Sequence, residues 1–173
     1  MMKTTANKIT MLRIVLIPVF LVLAYSDMMM AALAVYIIAC LSDFADGYIA
    51  RHYNQISNFG KFMDPLADKM LVLACMCFFV ENGQMAGWAV AVVLFREFAV
   101  SGMRLLAVEQ GQVIAAAWSG KIKTASTMVC LILMLLVNNN VLNIVSTVVI
   151  VATTVYSGVE YFYVNRAVFK EAD

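Results

Sequence analysis

Four aspartates at fixed spacing, Asp43, Asp46, Asp64 and Asp68, stand out in a chain of 173 residues that is 64% hydrophobic and only 13% charged. Carboxylates surrounded by apolar sequence are costly, so a cluster of them marks a functional site. Asp43 and Asp46 are three residues apart and Asp64 and Asp68 four, so each pair shares one face if its segment is helical. The polar stretch from His52 to Asn58 between the pairs is expected to turn the second helix back on the first and bring all four carboxylates to one place. Such a cluster repels itself unless cations sit in it. Oxygen donors with no Cys or His among them suit Mg²⁺ or Mn²⁺ rather than Zn²⁺. Gly47 and Gly60 leave room for a ligand or a neighbouring backbone, and Ala50 keeps the same face small.

Together these residues make the pattern D-x-x-D-G-x-x-A-R-(x8)-G-x-x-x-D-x-x-x-D, met by Asp43, Asp46, Gly47, Ala50, Arg51, Gly60, Asp64 and Asp68 without departure. The pattern resembles the signature of the CDP-alcohol phosphatidyltransferases, integral membrane enzymes that move a phosphatidyl or similar group from a CDP-linked donor to an alcohol. The resemblance implies an all-α integral membrane protein, one domain over residues 1–173, with six transmembrane helices around a polar cavity open to the cytoplasm. It implies two divalent ions, Mg²⁺ or Mn²⁺, held by Asp43, Asp46, Asp64 and Asp68, with Asp68 also serving as the general base. CDP-diacylglycerol would be bounded by Asp46, Gly47, Ala50, Arg51 and Gly60. Asn7, Ile9 and Thr10 resemble the family's N-x-I-T segment beside the donor, so Asn7 and Thr10 are expected there too; the competing role for these polar residues is helix capping. A homodimer among membrane lipids is implied as well, and no nucleic-acid partner is expected.

A second group of charges, Arg96, Arg104, Lys121 and Lys123, lies in otherwise apolar sequence. Arg104 follows Arg96 by eight residues, a little over two helical turns, so the two share roughly one face. A short connection would bring Lys121 and Lys123 near. A cationic pocket beside an anionic metal site is what a phosphorylated acceptor needs, because Arg grips phosphate bidentately and Lys acts as a point charge. Snorkelling to the interface is the bland alternative for the lysines. Glu97 is not on the same face as Arg96 and is expected to pair with another helix. The segments REFAVSGMR and SGKIKT also resemble the bacterial branch of the family that uses glycerol 3-phosphate as acceptor.

The elements that must position these groups follow from the apolar runs. Helices are expected at about Ile9–Tyr25, Met28–Arg51, Gly60–Val80, Gly87–Val108, Trp118–Val137 and Val141–Val164, each long enough to cross a bilayer core of about 30 Å. The first run is read as a transmembrane helix rather than a secretory signal, because Arg13 and Pro18 interrupt it and further spans follow. Pro65 is expected in the first turns of the third helix, where its missing N–H is best tolerated. The connections at Asp27, at Glu81 to Ala86 and at Asn138 to Asn140 hold no Lys or Arg, whereas Lys3, Lys8, Arg51, Lys61, Lys121, Lys123, Arg166 and Lys170 cluster toward the other end. The positive-inside rule then places both termini and the aspartates at the cytoplasmic face, and the resemblance to the bacterial branch implies that the membrane is the bacterial inner membrane.

Four cysteines, Cys40, Cys75, Cys77 and Cys130, sit in apolar runs without metal or redox spacing and read as small hydrophobes. His52 reads as a solvated loop residue, and Trp88 and Trp118 as interface anchors. A sister enzyme with serine, inositol phosphate or phosphatidylglycerol as acceptor is the nearest alternative; serine, being neutral, gives no reason for the intramembrane arginines. A divalent-cation transporter is the alternative of another class, disfavoured because the acidic residues are confined to one half of the membrane depth.

Overall fold

Six α-helices make up nearly all of the described chain: α1 (Thr5–Tyr25), α2 (Met29–His52), α3 (Asn58–Glu81), α4 (Gly87–Glu109), α5 (Trp118–Leu136) and α6 (Asn140–Val164), followed by a 3-10 turn at Arg166–Phe169. The computed structural model describes the backbone of residues 5–52, 58–112, 114 and 117–169, and the side chains of residues 9–42, 63, 66–112, 114, 117–166 and 168. Among the described residues there is no strand. Every expected helix is present, with ends displaced by one or two residues except at the start of α1, which begins at Thr5, ahead of the apolar run. Asn7 and Thr10 therefore lie inside the helix, which removes capping as their role. Likewise α3 begins at Asn58, so Pro65 falls about two turns in, within the first turns as expected.

The turns take the residues their backbone demands. Asp27, Gly83 and Gly111 have φ of 58°, 69° and 72°, the left-handed region that glycine enters freely and Asp tolerates. Asn139 caps α6, its side-chain oxygen accepting from the backbone N–H of Val141 at 2.9 Å and of Leu142 at 3.3 Å. The Tyr25 hydroxyl donates to Glu81, and Gln84 Nε2 donates to Asn138 Oδ1 at 2.9 Å. The three turns without Lys or Arg are thus tied together at one end of the bundle. At the other, Gln110 Nε2 donates to the Val168 carbonyl at 3.0 Å.

α3 is the central helix, packing against α1, α2, α4 and α5, while α6 packs on α4 and α5. The apolar core occupies the half away from the aspartate motif: Phe20 and Ala24 of α1, Ala32 and Tyr36 of α2, and Cys75, Met76, Phe78 and Phe79 of α3 are all buried. Phe20, Tyr36 and Phe78 stack edge to tilted at centroid separations of 5.7 and 6.5 Å, within the range where aromatic pairs attract. Both α2 and α3 thus devote one half to this core and the other to the motif.

The outside is apolar and the seams are polar. Phe95, Phe98, Ile144, Val148 and Val159 are exposed, while Thr127, Asn143, Ser146, Thr154 and Ser157 are buried between helices. This distribution is that of a bundle whose solvent is lipid, with small and hydroxylated residues letting helices approach. α5 and α6 are long and apolar enough to cross a membrane, and only 39% and 33% of their apolar windows is covered by the rest of the chain, unlike the core helices of a water-soluble domain. α1 and α2 carry shorter described apolar stretches, Ile9–Tyr25 and Met29–Ser42.

Candidate active site

The motif occupies the two helix ends that flank residues 53–57. Asp43, Asp46, Gly47, Ala50 and Arg51 are on the last turns of α2, and Gly60, Asp64 and Asp68 on the first turns of α3. The side chains of Asn7, Asp43, Asp46, Ala50, Arg51 and Asp64, and the surroundings of Gly47 and Gly60, lie outside what the structure describes. Thr10 is fully buried on α1. Asp68 is half-buried and faces a small cleft whose described lining includes Lys69, Glu97, Lys123, Thr124 and Thr127. Sequence order alone separates these residues widely; α3, α4 and α5 bring them to one opening.

Glu97 is the electrostatic centre of that cleft. Its Oε1 accepts from Lys123 Nζ at 2.7 Å and from Arg96 Nη1 at 3.0 Å, and its Oε2 lies 3.6 Å from Lys69 Nζ. Lys69 Nζ also donates to Ser101 Oγ at 2.6 Å. The expectation that Glu97 pairs with another helix holds for Lys69 of α3 and Lys123 of α5; in addition, Arg96 bends round to reach its own neighbour. With side-chain exposures of 7% for Lys123, 12% for Arg96 and 15% for Glu97, these charges attract more strongly than surface pairs do.

Arg96 is seated by what is missing around it. Its Nη2 donates to Ser157 Oγ at 2.7 Å, and it passes beside two glycines: a Cβ on Gly158 would stand 3.2 Å from Arg96 Cγ, and one on Gly120 3.6 Å from Nη2. The four expected acceptor-binding cations are not all together. Arg96 and Lys123 meet at Glu97, whereas Arg104 donates to the Tyr161 hydroxyl at 3.0 Å and exposed Lys121 stacks on the Trp118 ring at 4.8 Å. Lys69 and Ser101 were not anticipated. Lys69 directly follows the last motif aspartate, and that adjacency was the one signal available for it.

The motif's donors are four carboxylates without thiolate or imidazole, a hard set that suits divalent Mg²⁺ or Mn²⁺. A lipid-facing helical bundle that opens a carboxylate-bearing cleft onto a buried lysine, Lys123, and the part-buried Lys69 is the framework of a membrane enzyme handling a phosphorylated substrate. The chain belongs to the CDP-alcohol phosphatidyltransferase family, whose model matches residues 3–157. It is 38% identical to the CDP-diacylglycerol–glycerol-3-phosphate 3-phosphatidyltransferase of Bacillus subtilis, over 96% of this chain and 97% of that one. It is 36% identical to a probable phosphatidylglycerophosphate synthase of Mycobacterium tuberculosis, over 90% of this chain and 78% of that protein. It is 35% identical to the CDP-diacylglycerol–glycerol-3-phosphate 3-phosphatidyltransferase of Escherichia coli, over 71% of each.

Proposed function

We propose that this chain transfers the phosphatidyl group of CDP-diacylglycerol to a hydroxyl of glycerol 3-phosphate, giving phosphatidylglycerophosphate and CMP. The observation that carries the reading is the juxtaposition, in one cleft, of the last motif aspartate, Asp68, with Lys69, Glu97 and Lys123, with Arg96 bonded to Glu97 from beside the cleft. Asp68 accepts the proton of the acceptor hydroxyl, the freed oxygen forms a bond to the phosphorus bearing the diacylglycerol, and the bond to CMP breaks. A carboxylate is a weak base, so the step depends on holding that hydroxyl within hydrogen-bond reach. Arg96 and Lys123 hold the acceptor phosphate; Asn7, Thr10, Asp46, Gly47, Ala50, Arg51 and Gly60 border the donor. Asp43, Asp46, Asp64 and Asp68 would hold two divalent ions, which when bound neutralise charge on the pyrophosphate and the departing CMP. The full arrangement is six transmembrane helices, both termini and the site at the cytoplasmic face of the bacterial inner membrane, in a homodimer.

The test is CMP release by purified protein given CDP-diacylglycerol and Mg²⁺ or Mn²⁺, with glycerol 3-phosphate, serine, inositol phosphate or phosphatidylglycerol supplied separately. Release is expected with glycerol 3-phosphate and a fall of at least about 10²-fold in Asp68→Asn, the usual scale of general-base catalysis. Release with another acceptor alone would overturn the acceptor, and none with any would overturn the reaction.

A further inference from the structure

Three cations from three helices converge on one carboxylate in the cleft: Lys69 of α3, Arg96 of α4 and Lys123 of α5 all face Glu97. A lone carboxylate cannot neutralise them: with Asp68 of the same cleft committed to the proposed divalent ions, the three cations facing Glu97 keep a surplus of two positive charges. A phosphate monoester carries close to two negative charges at neutral pH, its second pKa being about 6. Glu97 and such a phosphate together balance the three cations. Resting on the proposed acceptor, we propose that Glu97 is a positioning and specificity residue: it gathers Lys69, Arg96 and Lys123 into one cradle tuned to a dianionic phosphate, and Lys69 is part of that cradle.

The geometry gives Glu97 this role rather than that of a plain ion-pair partner. Lys69 and Lys123 have flexible four-carbon stems, and without a common anion their like charges would drive them apart toward water. Ser101 restrains Lys69 and Ser157 restrains Arg96 by one hydrogen bond each, whereas Lys123 Nζ is held by its 2.7 Å bond to Glu97. Glu97 occupies the position that joins all three. Thr127 of α5 lines the same cleft and offers a hydroxyl donor of the kind phosphate oxygens accept, whereas the Thr124 hydroxyl beside it already donates to the Gly120 carbonyl at 3.0 Å.

The experiment is steady-state CMP release with Glu97→Gln and Glu97→Asp, each substrate varied in turn, with inorganic phosphate as a competing anion. Gln keeps the shape and one acceptor oxygen, so the helices stay together while the charge that gathers the cations is gone. The KM for glycerol 3-phosphate is expected to rise about tenfold or more, as does the inhibition constant of inorganic phosphate. The KM for CDP-diacylglycerol and the kcat at saturating acceptor should move less than about threefold. Glu97→Asp, with the charge kept and the reach shortened, is expected to recover part of the acceptor affinity. Calorimetry of glycerol 3-phosphate binding to the protein without donor gives the same comparison independently of turnover, so failure of the proposed reaction does not mask the result. An unchanged or lowered acceptor KM, or an equal loss for both substrates, overturns the proposal. Lys69→Met should raise the acceptor KM alone, and a Lys69→Met protein with wild-type acceptor KM removes Lys69 from the cradle.

Discussion

Arg96 leaves α4 in the middle of an apolar stretch, and room for it comes from side chains that are absent on α5 and α6. Gly158 is the tighter of the two contacts: a Cβ there would stand 3.2 Å from Arg96 Cγ, against 3.6 Å from Nη2 at Gly120. Gly158→Val is therefore expected to push the guanidinium away from Ser157 and Glu97, an overpacking cost of about 1–3 kcal/mol. The readout is a KM for glycerol 3-phosphate raised by roughly tenfold, whereas Gly120→Ala, an ordinary van der Waals contact, should stay near wild type. Equal kinetics in the two variants would remove Gly158 as the seat of Arg96. The arginine was legible as an unusual intramembrane charge; its partners were not, because Ser157 is 61 positions away in sequence and nothing local announces it.

Among the elements, α6 shows how much of a helix is written locally and how much is not. Its start is set by Asn139, whose side-chain oxygen accepts from two exposed backbone N–H groups at the helix N-terminus. Asn139→Ala should lower stability by about 1 kcal/mol, read as a reduced thermal midpoint in detergent, with CMP release per folded molecule unchanged. A variant as stable as wild type would mean that the outer turn, including the Gln84–Asn138 bond, holds the helix end without the cap. The buried face of α6, Asn143, Ser146, Thr147, Ile150, Thr154, Ser157 and Tyr161, recurs at three- and four-residue intervals as a helical face must. Hydropathy conceals it, since the hydroxyl-bearing side points inward and the valines outward. Hydropathy likewise misplaced the start of α1: no Gly or Pro occurs before Pro18, so the backbone hydrogen bonding runs on after the apolar residues stop.

At the scale of the whole molecule, the two ends differ in charge as well as in content. One end joins the turns free of Lys and Arg through Tyr25–Glu81 and Gln84–Asn138; the other carries the cleft with Asp68, Lys69, Glu97 and Lys123. The positive-inside rule turns this asymmetry into an orientation. With the four native cysteines replaced, Ser26→Cys is expected to react with a membrane-impermeant maleimide in spheroplasts, and Glu109→Cys only after the membrane is opened. The reverse pattern would invert the protein and put the cleft on the outer side, away from a nucleotide-linked donor made in the cytoplasm.

The family, the six helices and their turns were determined by the sequence itself, because a motif of eight fixed positions and long apolar runs are local properties. They require no knowledge of what packs against what. The tertiary structure alone decided which charges gather at Glu97. Of the four cations marked from sequence, it joined Arg96 and Lys123, carried Lys121 to Trp118 and Arg104 to Tyr161, and added Lys69 through the carboxylate of Glu97. Helical periodicity states which residues share a face on one helix. Whether two faces on different helices meet depends on the rotation and height at which those helices pack, and that is set by the small and hydroxylated residues of the seams rather than by the charges they bring together.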